Sequence, residues 1–234
     1  FYIDKTSFIK EWWENRDTVT LITRPRRFGK TLTMSMTEYF FSLKHSGRSD
    51  LFEGLKIWKE DKYRRLQGTF PVIFLSFANV KSDHYEKIYY EICELIAREY
   101  RRNAFLLKSE QFLPSDKERF NKILSGRGSS GDICFSINLL SEYLYEYYGK
   151  KVIILLDEYD TPMQEAYVNG FWDEMAGFIR ELFNATFKTN PYLERGLMTG
   201  ITRVSKESIF SDLNNLKVVT TTSYRYAESF GFTE

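Results

Sequence analysis

The chain has 234 residues, of which 43% are hydrophobic, and its 33 basic and 32 acidic side chains leave a formal net charge of +1. This length and composition allow one sizeable hydrophobic core, so we expect a single domain over residues 1–234. The balanced charge gives no overall positive field, so nucleic-acid binding stays open and would need a local basic patch. No apolar run approaches the ~20 residues that cross a bilayer, so we expect no membrane partner.

The two cysteines, Cys93 and Cys134, lack the spacing of a metal or redox motif and lie in apolar helical patterns. Such cysteines are typical of reduced thiols packed inside a cytoplasmic protein. We therefore expect a cytoplasmic protein. Because the chain begins at Phe1 without Met and stops after "SFGFTE", we also expect a fragment of a longer polypeptide.

Helices and strands alternate in the first half of the chain. "TSFIKEWWEN" predicts an amphipathic helix with Thr6 as its cap, and "TVTLIT" predicts a buried strand. "PVIFLSF" predicts a second strand, followed by a helix capped by Asp83 with Glu86. Between the two strands lies a helix from Thr31 onward, whose predicted apolar stripe is Leu32, Met36, Tyr39, Phe40 and Leu43.

Residues 103–132 include "SGRGSSGD", which predicts a flexible loop. After this region the second half of the chain continues the alternation of helices and strands. A helix that Gly149 would end leads into "KVIILLDEYD", which has the pattern of a central parallel strand. A long helix containing Trp172 follows, and then "RGLMTGITRVS" and "KVVTTTS" as the fourth and fifth strands. This order predicts an α/β fold of three layers, with a mostly parallel five-stranded sheet flanked by helices.

The stretch "TVTLITRPRRFGKTLTMSM", residues 18–36, has half of a Walker A motif. Gly29, Lys30 and Thr31 match its second half, but Arg24 stands where the motif has its first glycine. In such a loop, backbone N–H groups and a helix N-terminus bind phosphate. Lys30 would reach the β- and γ-phosphates, and the Thr31 hydroxyl would bind magnesium. Taken alone, the match is equally consistent with a chance tripeptide at a helix start.

"VIILLDE" has the form of a Walker B motif. Its strand would deliver Asp157 to magnesium, and the adjacent Glu158 would polarise the attacking water. The alternative is a strand with a solvated acidic end. The two motifs in the correct order favour a P-loop NTPase, and the extra strand "PVIFLSF" between them is typical of the branch with a catalytic Glu after the Walker B Asp.

A third motif, "LMTGITRVS", ends a strand that we expect next to the Walker A strand. Thr199 and Thr202 would orient the water or sense the γ-phosphate there, although threonine also fits a strand by propensity alone. Arg203 is a candidate for stabilising charge in the transition state. The alternative for Arg203 is a structural ion pair, for example with Asp160.

The basic run in the variant loop has two interpretations. Arg24, Arg26 and Arg27 would contribute fork-shaped donors to phosphate oxygens, or they are solvated arginines that only shape the loop. The segment predicted to contact the nucleotide comprises Arg26, Arg27, Phe28, Gly29, Lys30, Thr31 and Leu32.

Together, "RPRRFGKTL", "LLDEYDTPM" and "TGITRVSKESIFSDLNNL" resemble the bacterial AAA-ATPase-like family, whose members commonly carry a PD-(D/E)XK nuclease-like domain downstream. The resemblance covers essentially the whole chain. It implies that the loop with Arg24 is the normal form of this family. It also implies that Gly29, Lys30 and Thr31 form the nucleotide loop and that Asp157 and Glu158 form the Walker B pair. The helical lid and nuclease-like domain would lie outside this chain.

We therefore predict an ASCE/AAA-like P-loop module that binds Mg²⁺ and ATP, hydrolyses ATP, and couples its nucleotide state to a partner or an appended domain. A homo-oligomer is left open. One alternative is a nucleotide-binding switch without turnover. Another is a two-metal nuclease centre at Asp157, Glu158 and Asp160, which we disfavour because no lysine of an E-x-K strand lies nearby.

Overall fold

The computed structural model describes residues 3–202, 209–210 and 212–231. Its centre is a five-stranded sheet in the order β2-β3-β4-β1-β5, and every neighbouring pair is parallel. The prediction of a three-layer α/β fold with a five-stranded parallel sheet is confirmed. The strands are β1 (Val19–Thr23), β2 (Val72–Ser76), β3 (Val152–Asp157), β4 (Leu193–Gly200) and β5 (Leu216–Val219).

Helices cover both faces of this sheet. In the described residues the α-helices are α1 (Ser7–Asn15), α2 (Lys30–Phe41), α3 (Asp61–Arg64), α4 (Tyr85–Arg102), α5 (Pro114–Leu124), α6 (Ser130–Cys134), α7 (Ser136–Tyr148), α8 (Thr161–Asn169) and α9 (Trp172–Phe183). Short 3-10 turns follow α2 and α4, and a π-helical turn, Asn184–Lys188, ends α9. Within the described ranges, no helix has both the length and the apolarity needed to cross a bilayer.

Strand β3 packs against hydrophobic side chains on both of its faces. Ile154 and Leu156 belong to the cluster that includes α4, α7 and α9, whereas Ile153 and Leu155 belong to the cluster that includes α1 and α2. A strand that is covered on both faces has an unbroken run of apolar residues and no alternation of apolar and polar residues. The run "VIILL" therefore indicates a central strand.

The predicted apolar stripe of α2 is wrong at its first turn. Leu32 is 66% exposed, and the helix instead buries Thr33, Met34 and Thr37 near its start. Since α2 begins at the carboxyl edge of the sheet, its first turn borders an open groove, which Leu32 lines.

Three other local predictions are corrected. The sequence predicted one helix after β3, but the structure has two, separated at Gly170, whose φ of 84° suits glycine. Part of the predicted loop "SGRGSSGD" forms α6, which begins with a reciprocal capping box between Ser129 and Asp132. The expected cap at Asp83 is also wrong, because His84 precedes α4 and makes no side-chain cap bond.

Gly196 in β4 tests how closely the sheet and its covering helices pack. A Cβ at this position would lie 2.8 Å from the ring of Phe187, which is almost fully buried. We expect Gly196→Ala to lower the free energy of unfolding by about 1–3 kcal/mol, because a methyl group overpacks this contact. Urea denaturation provides the measurement.

Gly177→Ala is the matched control for that variant. Gly177 lies within α9, and an added Cβ would meet no atom within 4 Å. Because alanine favours helix over glycine by roughly 0.8–1 kcal/mol, this variant is expected to be as stable as the wild type or more stable. Equal stability of the two variants would contradict the close packing of β4.

Candidate functional site

The loop 24–29 joins β1 to α2 at the carboxyl edge of the sheet. Its last residue, Gly29, has a φ of 78°, which is readily adopted only by glycine. An added Cβ would meet no atom within 4 Å, so the backbone here is open to a ligand. The conformation, not crowding, therefore requires the glycine.

The N-terminus of α2 has the character of an anion site. The first amides of a helix lack acceptors within the helix, and no side chain caps α2 or places an acidic group in its first turn. Over its 12 residues the aligned peptide dipoles leave a partial positive charge at this end. These amides can therefore bind a phosphate group.

Lys30 lies at the base of this loop and is only 5% exposed. Its Nζ donates to the carbonyl oxygens of Arg24, at 3.0 Å, and of Pro25, at 2.9 Å. An ammonium group has three donors, so one remains for a ligand. Burial lowers the pKa of Lys30, and the negative charges of Glu158 and Asp157 oppose that shift.

Asp157 connects three elements of the site. Its side chain is fully buried, and its Oδ2 accepts a hydrogen bond of 2.8 Å from the Thr31 hydroxyl on α2. Its Oδ1 accepts a hydrogen bond from the Thr199 hydroxyl on β4. The structure thus brings together the two predicted metal ligands and one predicted catalytic threonine. The prediction that the fourth strand lies beside the Walker A strand is also confirmed.

The side-chain oxygen atoms of Asp157 and Thr31 are suitable ligands for magnesium. Mg²⁺ prefers hard oxygen ligands and is usually held by one or two carboxylates together with substrate phosphates. A carboxylate has about four lone-pair sites, of which Asp157 uses two, and the oxygen of Thr31 still has lone pairs available.

Glu158 follows Asp157 directly, but its backbone conformation and its surroundings differ. Its φ of 51° lies in the left-handed region, which costs a non-glycine residue roughly 1–2 kcal/mol. The chain turns sharply here, so Asp157 stays buried while Glu158 lines a groove that also contains Lys30 and Thr31. The two adjacent carboxylates are therefore available for different tasks.

Asp160 binds the backbone that follows β4, at residues 201–202. Its fully buried Oδ2 accepts hydrogen bonds from the backbone amides of Ile201 and Thr202 and from the Thr202 hydroxyl. Across the described ranges, no group of three or more His, Cys, Asp or Glu side chains is arranged to hold a metal ion. Arg203 lies outside the described residues.

Arg24 packs behind the loop. It is 4% exposed, and its Nη1 donates to the carbonyl oxygens of Thr23 and Val219, at 3.0 and 3.2 Å. Its guanidinium also lies 5.4 Å from the ring centre of Phe230, and burial lowers its pKa. These contacts favour the interpretation that Arg24 shapes the loop from outside.

The groove beside the loop has two connected parts, which share Arg27, Gly29 and Leu32. One part, the cationic end, has a volume of about 530 Å³ and is also lined by Arg26, Lys30, Thr31, Lys81 and Glu158. The other part, the apolar end, has a volume of about 280 Å³ and is also lined by Ile3, Lys5, Phe28, Thr33, Met36, Ser229 and Gly231.

All seven residues predicted to contact the nucleotide, 26–32, lie along this groove. Apart from Glu158, sequence reasoning missed the remaining lining residues. Lys81 belongs to no recognised motif, and Met36 was assigned to the core stripe. Lys81 reaches the groove only through the tertiary fold, whereas Met36 lies one helical turn after Leu32 on α2, a spacing that could have placed it there.

Comparisons with known proteins give one family and one relative. The family model described as "Predicted AAA-ATPase" matches residues 1–210. The chain is similar to a protein of Azotobacter chroococcum mcd 1 named "Uncharacterized protein in vnfD 5'region", with 25% identity over 235 residues that cover 100% of this chain. It spans 40% of the length of that relative. No solved structure matches the chain.

Replacing Arg24 by glycine restores the standard motif but should weaken the fold. Arg24→Gly leaves two buried carbonyl groups without their donor and removes the contact with Phe230. We expect the free energy of unfolding to fall by about 2–4 kcal/mol in the absence of nucleotide. Arg26→Ala, at an exposed position of the same loop, should change it by less than about 0.5 kcal/mol. Thermal and urea unfolding provide the measurements. An equal loss of stability in Arg24→Gly and Arg26→Ala would contradict a structural role for Arg24.

Proposed function

Since this chain belongs to the family described as predicted AAA-ATPase, we propose that it binds ATP with Mg²⁺ in the groove beside loop 24–29 and hydrolyses it. The observation that carries this proposal is the pair of hydrogen bonds from Thr31 and Thr199 to the two oxygens of Asp157. They set the proposed metal ligands beside an uncapped helix N-terminus and next to Glu158.

The polarity of the groove matches a nucleoside triphosphate. The amides of α2 and the remaining donor of Lys30 would bind the β- and γ-phosphates, with Arg26 and Arg27 as further cations. The apolar end would hold the base, where Phe28 and Met36 offer a ring and a polarisable side chain.

Thr31 and Asp157 would hold the magnesium ion. When bound, Mg²⁺ neutralises charge on the phosphate oxygens and favours attack at phosphorus. Thr199 acts through Asp157, because its hydrogen bond fixes the orientation of that carboxylate.

Glu158 is the general base in this proposal. It takes a proton from water as the water oxygen forms a bond to the γ-phosphorus. The bond from that phosphorus to the β–γ bridging oxygen breaks, and ADP carries away the electron pair. Lys30 stabilises the negative charge on the transferred group, and its fixed position at the base of the loop requires little reorganisation.

The output of the hydrolysis is a separate proposal. Because the chain spans 40% of the relative's length, we propose that the nucleotide state controls an appended domain, of which a nuclease-like domain is one form. We also propose that the protein is located in the cytoplasm.

Glu158→Gln and Lys30→Ala separate binding from chemistry. Glu158→Gln should keep ATP affinity within a few-fold and lower phosphate release about 10²–10⁴-fold, because the base is lost while the loop is intact. Lys30→Ala should weaken ATP binding more than about tenfold. Glu53→Gln, at an exposed carboxylate away from the groove, should behave as the wild type. Phosphate release and calorimetric titration provide the measurements.

Equal hydrolysis rates in the wild type and in both groove variants would contradict the proposed activity. Thermal stabilisation by ATP without phosphate release would instead favour the non-hydrolysing switch, since a ligand that binds only the folded state raises its stability whether or not it is turned over.

Phe28→Ala tests whether the apolar end holds the base. Phe28 is 39% exposed, so its loss should leave the fold intact. We expect ATP affinity to fall about tenfold, in line with the energy of stacking on an aromatic ring. Affinity for inorganic tripolyphosphate, which has no base, should stay within about twofold, and Phe28→Tyr should retain both affinities. A parallel loss for both ligands would contradict the assignment of the apolar end.

A further inference from the structure

Lys81 lines the cationic end of the groove together with Lys30 and Glu158. Among the described residues that line this part, it is the one that comes from neither the Walker A region nor the Walker B motif. It belongs to the connection between β2 and α4, residues 77–84, which no sequence motif marks.

The sheet order explains how Lys81 reaches the site. β2 lies beside β3 in the sheet, on the side away from β1, and Ser76 at its end pairs with Asp157. The amide of Phe77 then donates to the backbone oxygen of Asp157 at 2.9 Å. The connection after β2 thus begins at the Walker B carboxylates. Lys81 approaches Glu158 from the β2 side, whereas Lys30 approaches from the β1 side.

The backbone at Lys81 is fixed although its side chain is exposed. Its neighbours Val80 and Ser82 are buried, and its own amide donates to the Glu91 carboxylate on α4 at 3.0 Å. The amide of Val80 donates to the Phe77 carbonyl at 2.9 Å. Within the described parts of the chain, the Lys81 ammonium forms no ion pair. A lysine on a fixed backbone therefore lines the groove, and among the described residues its ammonium has no ion-pair partner.

Four basic side chains of the described residues line the cationic end, and they come from two sides of it. Arg26, Arg27 and Lys30 lie on the α2 side, where the helix amides would bind the inner phosphates, while Lys81 lies beyond them, on the β2 side of Glu158. A group that extends past the inner phosphates toward Glu158 would meet Lys81 next.

We propose that Lys81 binds the terminal phosphate of the nucleotide and makes the groove prefer a nucleoside triphosphate to a diphosphate. This inference rests on the proposed nucleotide-binding function and adds a residue that distinguishes the two nucleotide states. A charge-assisted hydrogen bond to the terminal phosphate is lost when that phosphate leaves, so product release is favoured.

The test compares affinities for a non-hydrolysable ATP analogue and for ADP, with Mg²⁺ present. Lys81→Ala should weaken binding of the analogue about tenfold or more and leave ADP affinity within about twofold. Lys81→Arg should retain most of the preference for the ATP analogue over ADP, because arginine keeps the positive charge. Lys87→Ala, at an exposed lysine on α4 that does not line the groove, should match the wild type. Thermal unfolding without nucleotide checks that the variants fold alike.

The outcomes separate this inference from the function on which it rests. An unchanged ratio of the two affinities in Lys81→Ala would overturn the role of Lys81, and the proposed function would stand if Lys30→Ala still abolished binding. Absence of nucleotide binding by the wild-type chain would overturn both.

Discussion

The rest of the site depends on the buried carboxylate of Asp157. It ends the central strand β3 and receives a hydroxyl from Thr31 on one oxygen and from Thr199 on the other. A carboxylate removed from water is strongly destabilising unless it has hydrogen-bond partners. Because its two partners come from α2 and β4, satisfying Asp157 also fixes the start of α2 against the edge of the sheet. The position of α2, into which loop 24–29 leads, therefore depends on the need to satisfy one buried carboxylate.

The backbone conformation of loop 24–29 explains why the loop tolerates an arginine at its start. Arg24 is not among the described non-glycine residues with a positive φ, so its backbone does not require glycine. The left-handed conformations of the loop occur instead at Arg27 and Gly29. Arg24 is free to use its side chain elsewhere, and it joins the ends of β1 and β5. An arginine at this position thus adds a structural contact, and the backbone at Gly29 stays open.

The groove combines a cationic end with an apolar end. Backbone amides, Lys30 and the arginines provide positive potential at one end, and Phe28 and Met36 provide an apolar wall at the other. Two left-handed non-glycine residues, Arg27 and Glu158, lie on its walls. Such strained conformations persist only where surrounding contacts hold them, and they cluster at functional sites. Their presence on both walls agrees with a groove shaped for a ligand.

By itself, the sequence determined the strands, the strand–loop–helix context of Lys30 and the acidic end of β3, because these depend on local apolar patterns and spacing. It misplaced Leu32, which local periodicity assigns to a buried stripe, and it missed the break at Gly170. Tertiary structure decided the positions of Arg24, Thr199 and Lys81. Arg24 contacts Val219, Thr199 contacts Asp157, and Lys81 lines the groove beside loop 24–29, and these long-range placements arise only from the order in which the strands assemble into the sheet.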